Sequence, residues 1–184
     1  MKEFECYHGT SHENFLKIKS NGFIVKPRDD HWLGNGIYFF LDDIDKGRWW
    51  SRNNPYTRNN PTVIKIILKV FNENFLNLDV ERDQSILDCF ADEFRESLQE
   101  LRVSIPGMNE HAWHCMVIDA FVKENPEYKA IARTFYTDRP VGASGFCGVG
   151  RQLCIHDKSL LSLNDLQEIR VKKTRRKRKR RSTS

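Results

Sequence analysis

The apolar positions of this chain change period several times, and each change marks an element. Residues 3–8 alternate as a strand does and run into "HGTS", where Ser11 is placed to cap a helix carrying Phe15, Leu16 and Ile18 until Asn21-Gly22 ends it. Residues 23–32 show no period and read as loop. Residues 33–41 read as a glycine turn and a strand, and 43–52 as a short helix starting near Asp43 with Trp49 and Trp50 at its end. "NNPYTRNNP" is loop by its Asn and Pro, and the β-branched block "TVIKIILKVF" predicts a half-buried or central strand. Helical spacing returns at Ile86, Leu87, Phe90, Phe94, Leu98 and Leu101, within 82–103, and again at Trp113, Val117, Ala120 and Phe121, within 109–124. Both predict core-packing helices. After Pro126 come a strand in "YKAIARTFYT", a Gly-rich loop in "PVGASGFCGVG" and a last strand in "RQLCIHD". Two helices interrupting a mainly β chain give the class α+β, and no internal repeat is visible.

Size and charge add to this outline. A chain of 184 residues suits one domain that buries about two thirds of its unfolded surface. Its longest apolar run is far short of the roughly 18 residues a membrane span needs, and "MKEFECYHGT" has no export signal, so a cytoplasmic protein is expected. Five scattered cysteines without a C-x-x-C pair fit a reducing compartment. Charge is very uneven: residues 170–184 hold ten of the thirty Lys and Arg and no acid, leaving residues 1–169 with twenty bases against twenty-five acids. The body is thus −5 and the tail +10. Such a run repels itself and predicts a disordered arm beyond a domain of residues 1–169. Lys172, Lys173, Arg175, Arg176, Lys177, Arg178, Lys179, Arg180 and Arg181 form an electrostatic grip for a polyanion, nucleic acid first. A solubilising tail or a nuclear address would use the same composition.

Several chemistries lack their residues. His111, His114 and Cys115 share a predicted helix without the spacing or the acid of a zinc helix, so no metal is expected. "GASGFCGVG" lacks the Lys-Ser/Thr of a phosphate loop, and no G-x-S-x-G is present. Three segments make sense together. "YHGTS" sets His8 near a strand end beside Gly9, whose backbone groups are free to meet a ligand. "LGNGIYFF" offers the Tyr38 ring to a planar group, with Trp49 or Trp50 for the other face. "RQLCIHD" starts a strand with the donor and acceptor amide of Gln152. Each residue taken alone would be equally at home in a core or on a wet surface.

In their order, H-G-T, then G-I-Y-F, then a polar residue opening an apolar strand, these segments resemble the diphtheria-toxin-like, poly(ADP-ribose) polymerase type of ADP-ribosyltransferase. The resemblance touches about a quarter of the chain and implies a split β-sheet with helices inserted between strands. It implies NAD as a substrate, His8 on the adenosine ribose, the Gly9 backbone on the nicotinamide amide, and Thr10 supporting the same turn. Tyr38 would stack on nicotinamide, with Trp49 or Trp50 as the second aromatic. The serine that often meets the amide falls near Lys46 and Gly47, and the catalytic Glu falls on Gln152. With Gln152 beside His8 and Tyr38, hydrogen bonding survives but charge and base are lost, so mono-transfer without chain elongation is expected. A compensating acid at Asp29 or Asp30 is an alternative.

The tail points to a nucleic-acid acceptor, RNA ahead of DNA. A small transferase of this kind resembles bacterial toxins and phage-defence effectors, for which a protein antitoxin is a natural partner. Other readings are a module that binds NAD, ADP-ribose or nucleic acid without catalysis, and an RNA 2'-phosphotransferase. The last needs bases in the pocket, for which Arg28, Arg48, Arg139 and Arg151 are the candidates.

Overall fold

A computed structural model describes residues 1–103, 109–136 and 149–172. Among them the protein is mixed α and β, with one seven-stranded sheet and four α-helices. β1 (Lys2–Ser11) pairs antiparallel with β3 (Pro61–Val70) along its whole length, from Lys2↔Val70 to Ser11↔Pro61, and β7 (Gln167–Arg170) lies outside β3. On the other side of β1 come β2 (Ile37–Leu41), β6 (Val149–Ile155), β5 (Ala130–Tyr136) and β4 (Phe75–Asn77), in the order β4-β5-β6-β2-β1-β3-β7. Only the β4–β5 pair is parallel.

Three expectations are corrected by this sheet. The first strand does not stop at residue 8: β3 supplies a partner for every residue to Ser11, so Thr10 sits in the ladder opposite Thr62 rather than in a turn. β4 and β7 hold three and four residues, too few to show a period in the sequence. The sheet is also continuous rather than divided. Its weakest junction is β1–β2, which is registered only at Cys6↔Leu41 and Tyr7↔Phe40.

Directly opposed residues of an antiparallel ladder share a face. One face carries Cys6, Phe39, Ile64, Ile66 and Leu153, packed under Phe15 of α1 (His12–Asn21) together with Phe23 and Leu166. The opposite face has two separate covers. α2 (Ile44–Asn53) sits on the β1–β3 half, with Ile44 against Tyr7 and Val63. α4 (Glu110–Glu124) sets Ile118 and Phe121 against Leu76, Ile131 and Cys154 on the other half. α3 (Glu81–Glu100) lies outside α4, with Phe90 5.3 Å from Phe121 and no residue fully buried, so it covers the core rather than forming it.

The helix ends follow local chemistry. The side chains of Ser11, Asp43 and Asn109 accept the backbone N–H of Asn14, Lys46 and Ala112, and Gly22 closes α1 at φ +78° while donating to Ile18. Chain packing extends to Val171, whose N–H donates to Pro61. No helix among the described residues is long and apolar enough to cross a membrane.

Candidate functional site

Between the two helical covers the sheet face is open over β2 and β6, next to the weak β1–β2 junction. The backbone of β1 turns usable groups toward that opening. Glu5 accepts the Asp42 N–H at 2.8 Å and donates its own N–H to the Asp42 carboxylate at 3.3 Å, so its polar groups face β2. The β1–β3 register runs without a bulge, and alternation therefore turns the N–H and C=O of Tyr7 and Gly9 to the same side. Pairing with β2 ends at Tyr7, so both groups of Gly9 face a gap.

His8 spans that gap. Its Nδ1 lies 2.8 Å from the Tyr38 carbonyl, which can only accept, so Nδ1 carries the proton. Phe23 and Phe39 flank the ring at 5.5 and 5.7 Å, and burial lowers its pKa, keeping it neutral. Nε2 is then a bare acceptor with no partner among the described residues.

A cavity of about 420 Å³ opens at this point. Tyr38, Phe40 and Gln152 line it from the sheet face, with Phe40 and Gln152 directly opposed across β2–β6. His8 and Gly9 reach it through the gap, Trp50 forms the α2 wall, and Arg28, Asp30, His31 and Trp32 form the other. The sequence expectation thus places His8, Gly9, Tyr38, Gln152 and one tryptophan around one space.

Trp49 and Trp50 are separated as a helix requires: Trp50 lines the cavity, whereas Trp49 lies outside it and is 57% exposed. Thr10, expected to support the same turn, is buried and does not line the cavity. Gly9 has a packing reason as well. A Cβ there would stand 2.5 Å from the Gly47 carbonyl oxygen and 3.0 Å from the Ser51 nitrogen, so α2 rests directly on β1. Ser51, which the sequence reading passed over, is buried at this contact with its hydroxyl donating to Arg48 at 3.0 Å.

The other wall is fixed by hydrogen bonds. The Tyr38 hydroxyl accepts the Leu33 N–H and donates to the Gly34 carbonyl, both at 2.9 Å, which ties the ring to the glycine turn. Burial raises the Tyr38 pKa, so the phenol stays protonated. Gly34, at φ +71°, leaves no room for a Cβ beside the Asp119 carboxylate. Asn35 donates its N–H and its side-chain amide to Asp119 at 2.6 Å each, and its carbonyl oxygen accepts the Arg28 N–H at 2.8 Å. Cys115 donates to the Arg28 carbonyl at 3.1 Å, and its own thiol is pushed up to about 11 by burial. His31, whose ring centroid is 5.3 Å from that of Tyr38, was not foreseen as a cavity residue.

The basic candidates divide clearly. Arg28 lines the cavity but is engaged with Asp30 through Nε at 2.7 Å and Nη2 at 2.5 Å. Arg48 pairs with Asp45, and Arg151 faces the opposite side of the sheet with Asn77 and Asp79. Arg139 lies outside the described residues. Of the expected polyanion grip, Lys172 is described and exposed; Lys173, Arg175, Arg176, Lys177, Arg178, Lys179, Arg180 and Arg181 lie outside, as does most of the Gly-rich segment. His111 and His114 pack on Trp32, at 4.3 and 6.0 Å between ring centroids.

No protein-family model matches the chain. A stretch of 44 residues is 39% identical to an uncharacterized protein of Methanocaldococcus jannaschii, covering 23% of this chain and 21% of that protein. The chain spans about a fifth of the relative's length, and the match carries no activity with it.

Proposed function

We propose that the protein is an NAD-dependent mono-ADP-ribosyltransferase, with the cavity at the β1–β2 gap as its donor site and nucleic acid, RNA ahead of DNA, as its acceptor. One observation carries the reading: a backbone N–H and C=O at Gly9 and an imidazole nitrogen at His8, without partners among the described residues, face the same space as Tyr38 and Gln152. A strand that presents both groups of one residue matches a primary carboxamide, which needs one donor and one acceptor side by side.

His8 Nε2 would accept from a ribose hydroxyl, and the Gln152 amide can both donate to and accept from such hydroxyls. Trp50 and Tyr38 supply apolar walls. In the transfer, the bond from the ribose carbon to the nicotinamide nitrogen breaks with its electron pair leaving on nicotinamide, and a bond forms from an acceptor N or O to that carbon. The acceptor's proton goes to solvent, because Gln152 has no basic site and neutral Tyr38 keeps its own. Asp30 reaches the rim, but Arg28 holds its carboxylate. Chemistry of this kind suits an acceptor that is already nucleophilic and stops after one unit.

Gln152 at the position of an acid favours one other reading, a domain that binds NAD or ADP-ribose without transferring it. The phosphotransferase reading is weakened, since among the described residues Arg28 is the one basic candidate on the cavity and is committed to Asp30. The test offers adenylate-labelled NAD to the protein with RNA, DNA and lysate protein in parallel. Label on nucleic acid, reduced about a hundredfold or more in His8→Ala and in Gln152→Ala, is the expected result. Label on protein alone would discard the nucleic-acid acceptor. Absence of label with NAD bound would leave the passive reader.

A further inference from the structure

A second cleft of about 410 Å³ lies between α3, α4 and β5, on the far side of Trp32. Trp32 lines both spaces and so forms the wall between them. The sheet floor is continuous beneath that wall. Arg133 of β5 is directly opposed to Gln152 of β6, so the two side chains leave the same face on neighbouring strands, Gln152 into the first cavity and Arg133 into the second. Arg133 is exposed and makes no hydrogen bond or ion pair among the described residues.

Around it stand aromatic faces. Phe135 meets Trp32 edge-on at 5.2 Å, and Trp113 carries the Arg95 guanidinium at 5.0 Å. His114 is kept neutral by burial, with the Arg133 charge acting in the same direction. Asp88 and Asp92 sit on the α3 rim, with Asp92 held by Arg95 at 3.1 Å.

We propose that this second cleft binds one nucleotide of a single-stranded nucleic acid, its base against Trp32 and Phe135 and its phosphate on Arg133. An unpartnered cation beside stacking aromatics is the combination that single-stranded nucleic acids require, and an aromatic face accepts any base. The +10 run of residues 170–184 raises the local concentration of such a strand. That the bound nucleotide is the transfer acceptor rests on the function proposed above; that the cleft holds a nucleotide does not.

The test irradiates the full chain with a single-stranded RNA containing 4-thiouridine and maps the crosslinked peptides by mass spectrometry, which separates the cleft from the basic tail. Crosslinks on peptides bearing Trp32, Trp113 or Phe135 are expected, falling about tenfold or more in Arg133→Ala and returning in Arg133→Lys. Arg133→Ala must melt as the wild type does, as its exposure leads one to expect. Crosslinks confined to residues 173–184, or an undiminished yield from a folded Arg133→Ala, would overturn the site. Cleft crosslinks on the wild type without NAD-dependent label would keep the nucleotide site and refute the transferase reading.

Discussion

The two clefts on either side of Trp32 are built in opposite ways. The first takes its polar groups from backbone and side chains at the junction of β1, β2 and β6, and its outer wall is a helix laid backbone to backbone on a strand at Gly9 and Gly47. The second is made of side chains from a loop, two helices and β5, none of them fixed by such a contact. In the first cleft main chains touch along the α2 wall. The other has walls of side chains, which can change rotamer.

The largest effect that separates them is steric. Gly9→Ala drives a Cβ into the Gly47 carbonyl and the α2 backbone, which cannot yield as a side chain would. Overpacking of this kind costs about 1–3 kcal/mol, and thermal melts should fall by roughly 2–4 °C for each kcal/mol. Arg133→Ala in the second cleft should stay within about 0.5 kcal/mol of wild type. Equal losses from the two would remove the contrast.

A second effect, smaller for each residue, comes from histidines. His8, in the first cleft, and His156, below the glycine turn, have pKa values lowered by burial. The unfolded chain therefore takes up protons before the folded one does. Stability is full above the unfolded value of about 6.5 and declines as pH falls below it, by up to about 1.4 kcal/mol per histidine per pH unit. Urea melts at pH 7.5 and 5.5 measure the slope. A protein more stable at pH 5.5 would mean that these rings gain favourable contacts when charged.

The first cleft was largely legible in the sequence because its chemistry is concentrated in short strings. "YHGTS", "GIYFF" and "RQLCIHD" each place a polar or aromatic residue on or beside a strand, and a sheet brings such strands together. What the strings could not give was register. Thr10 looked like a ligand-side neighbour of Gly9, yet it faces away, opposite Thr62. The tryptophan pair needed the helix phase that packing on Gly9 and Gly47 sets.

Arg133 shows the deeper limit. In "YKAIARTFYT" it is an ordinary strand residue, and only the β5–β6 pairing, which joins segments separated by the Gly-rich stretch, puts it beside Gln152. Trp113 and His114 were hidden for another reason. Trp113 has the helical spacing of a core residue and His114 lacks the partners of a zinc ligand, and α3, whose residues remain partly exposed, leaves a cleft over them instead of closing it.

Melting the protein with and without millimolar NAD asks whether the gap between β1 and β2 takes a dinucleotide. NAD at about a hundred times its Kd should stabilise the wild type by about 2.7 kcal/mol. His8→Ala and Trp50→Ala should lose most of that gain, and Trp49→Ala should keep it. A wild type whose melting temperature does not move with NAD, or a Trp49→Ala that loses the shift while Trp50→Ala retains it, would contradict the assignment.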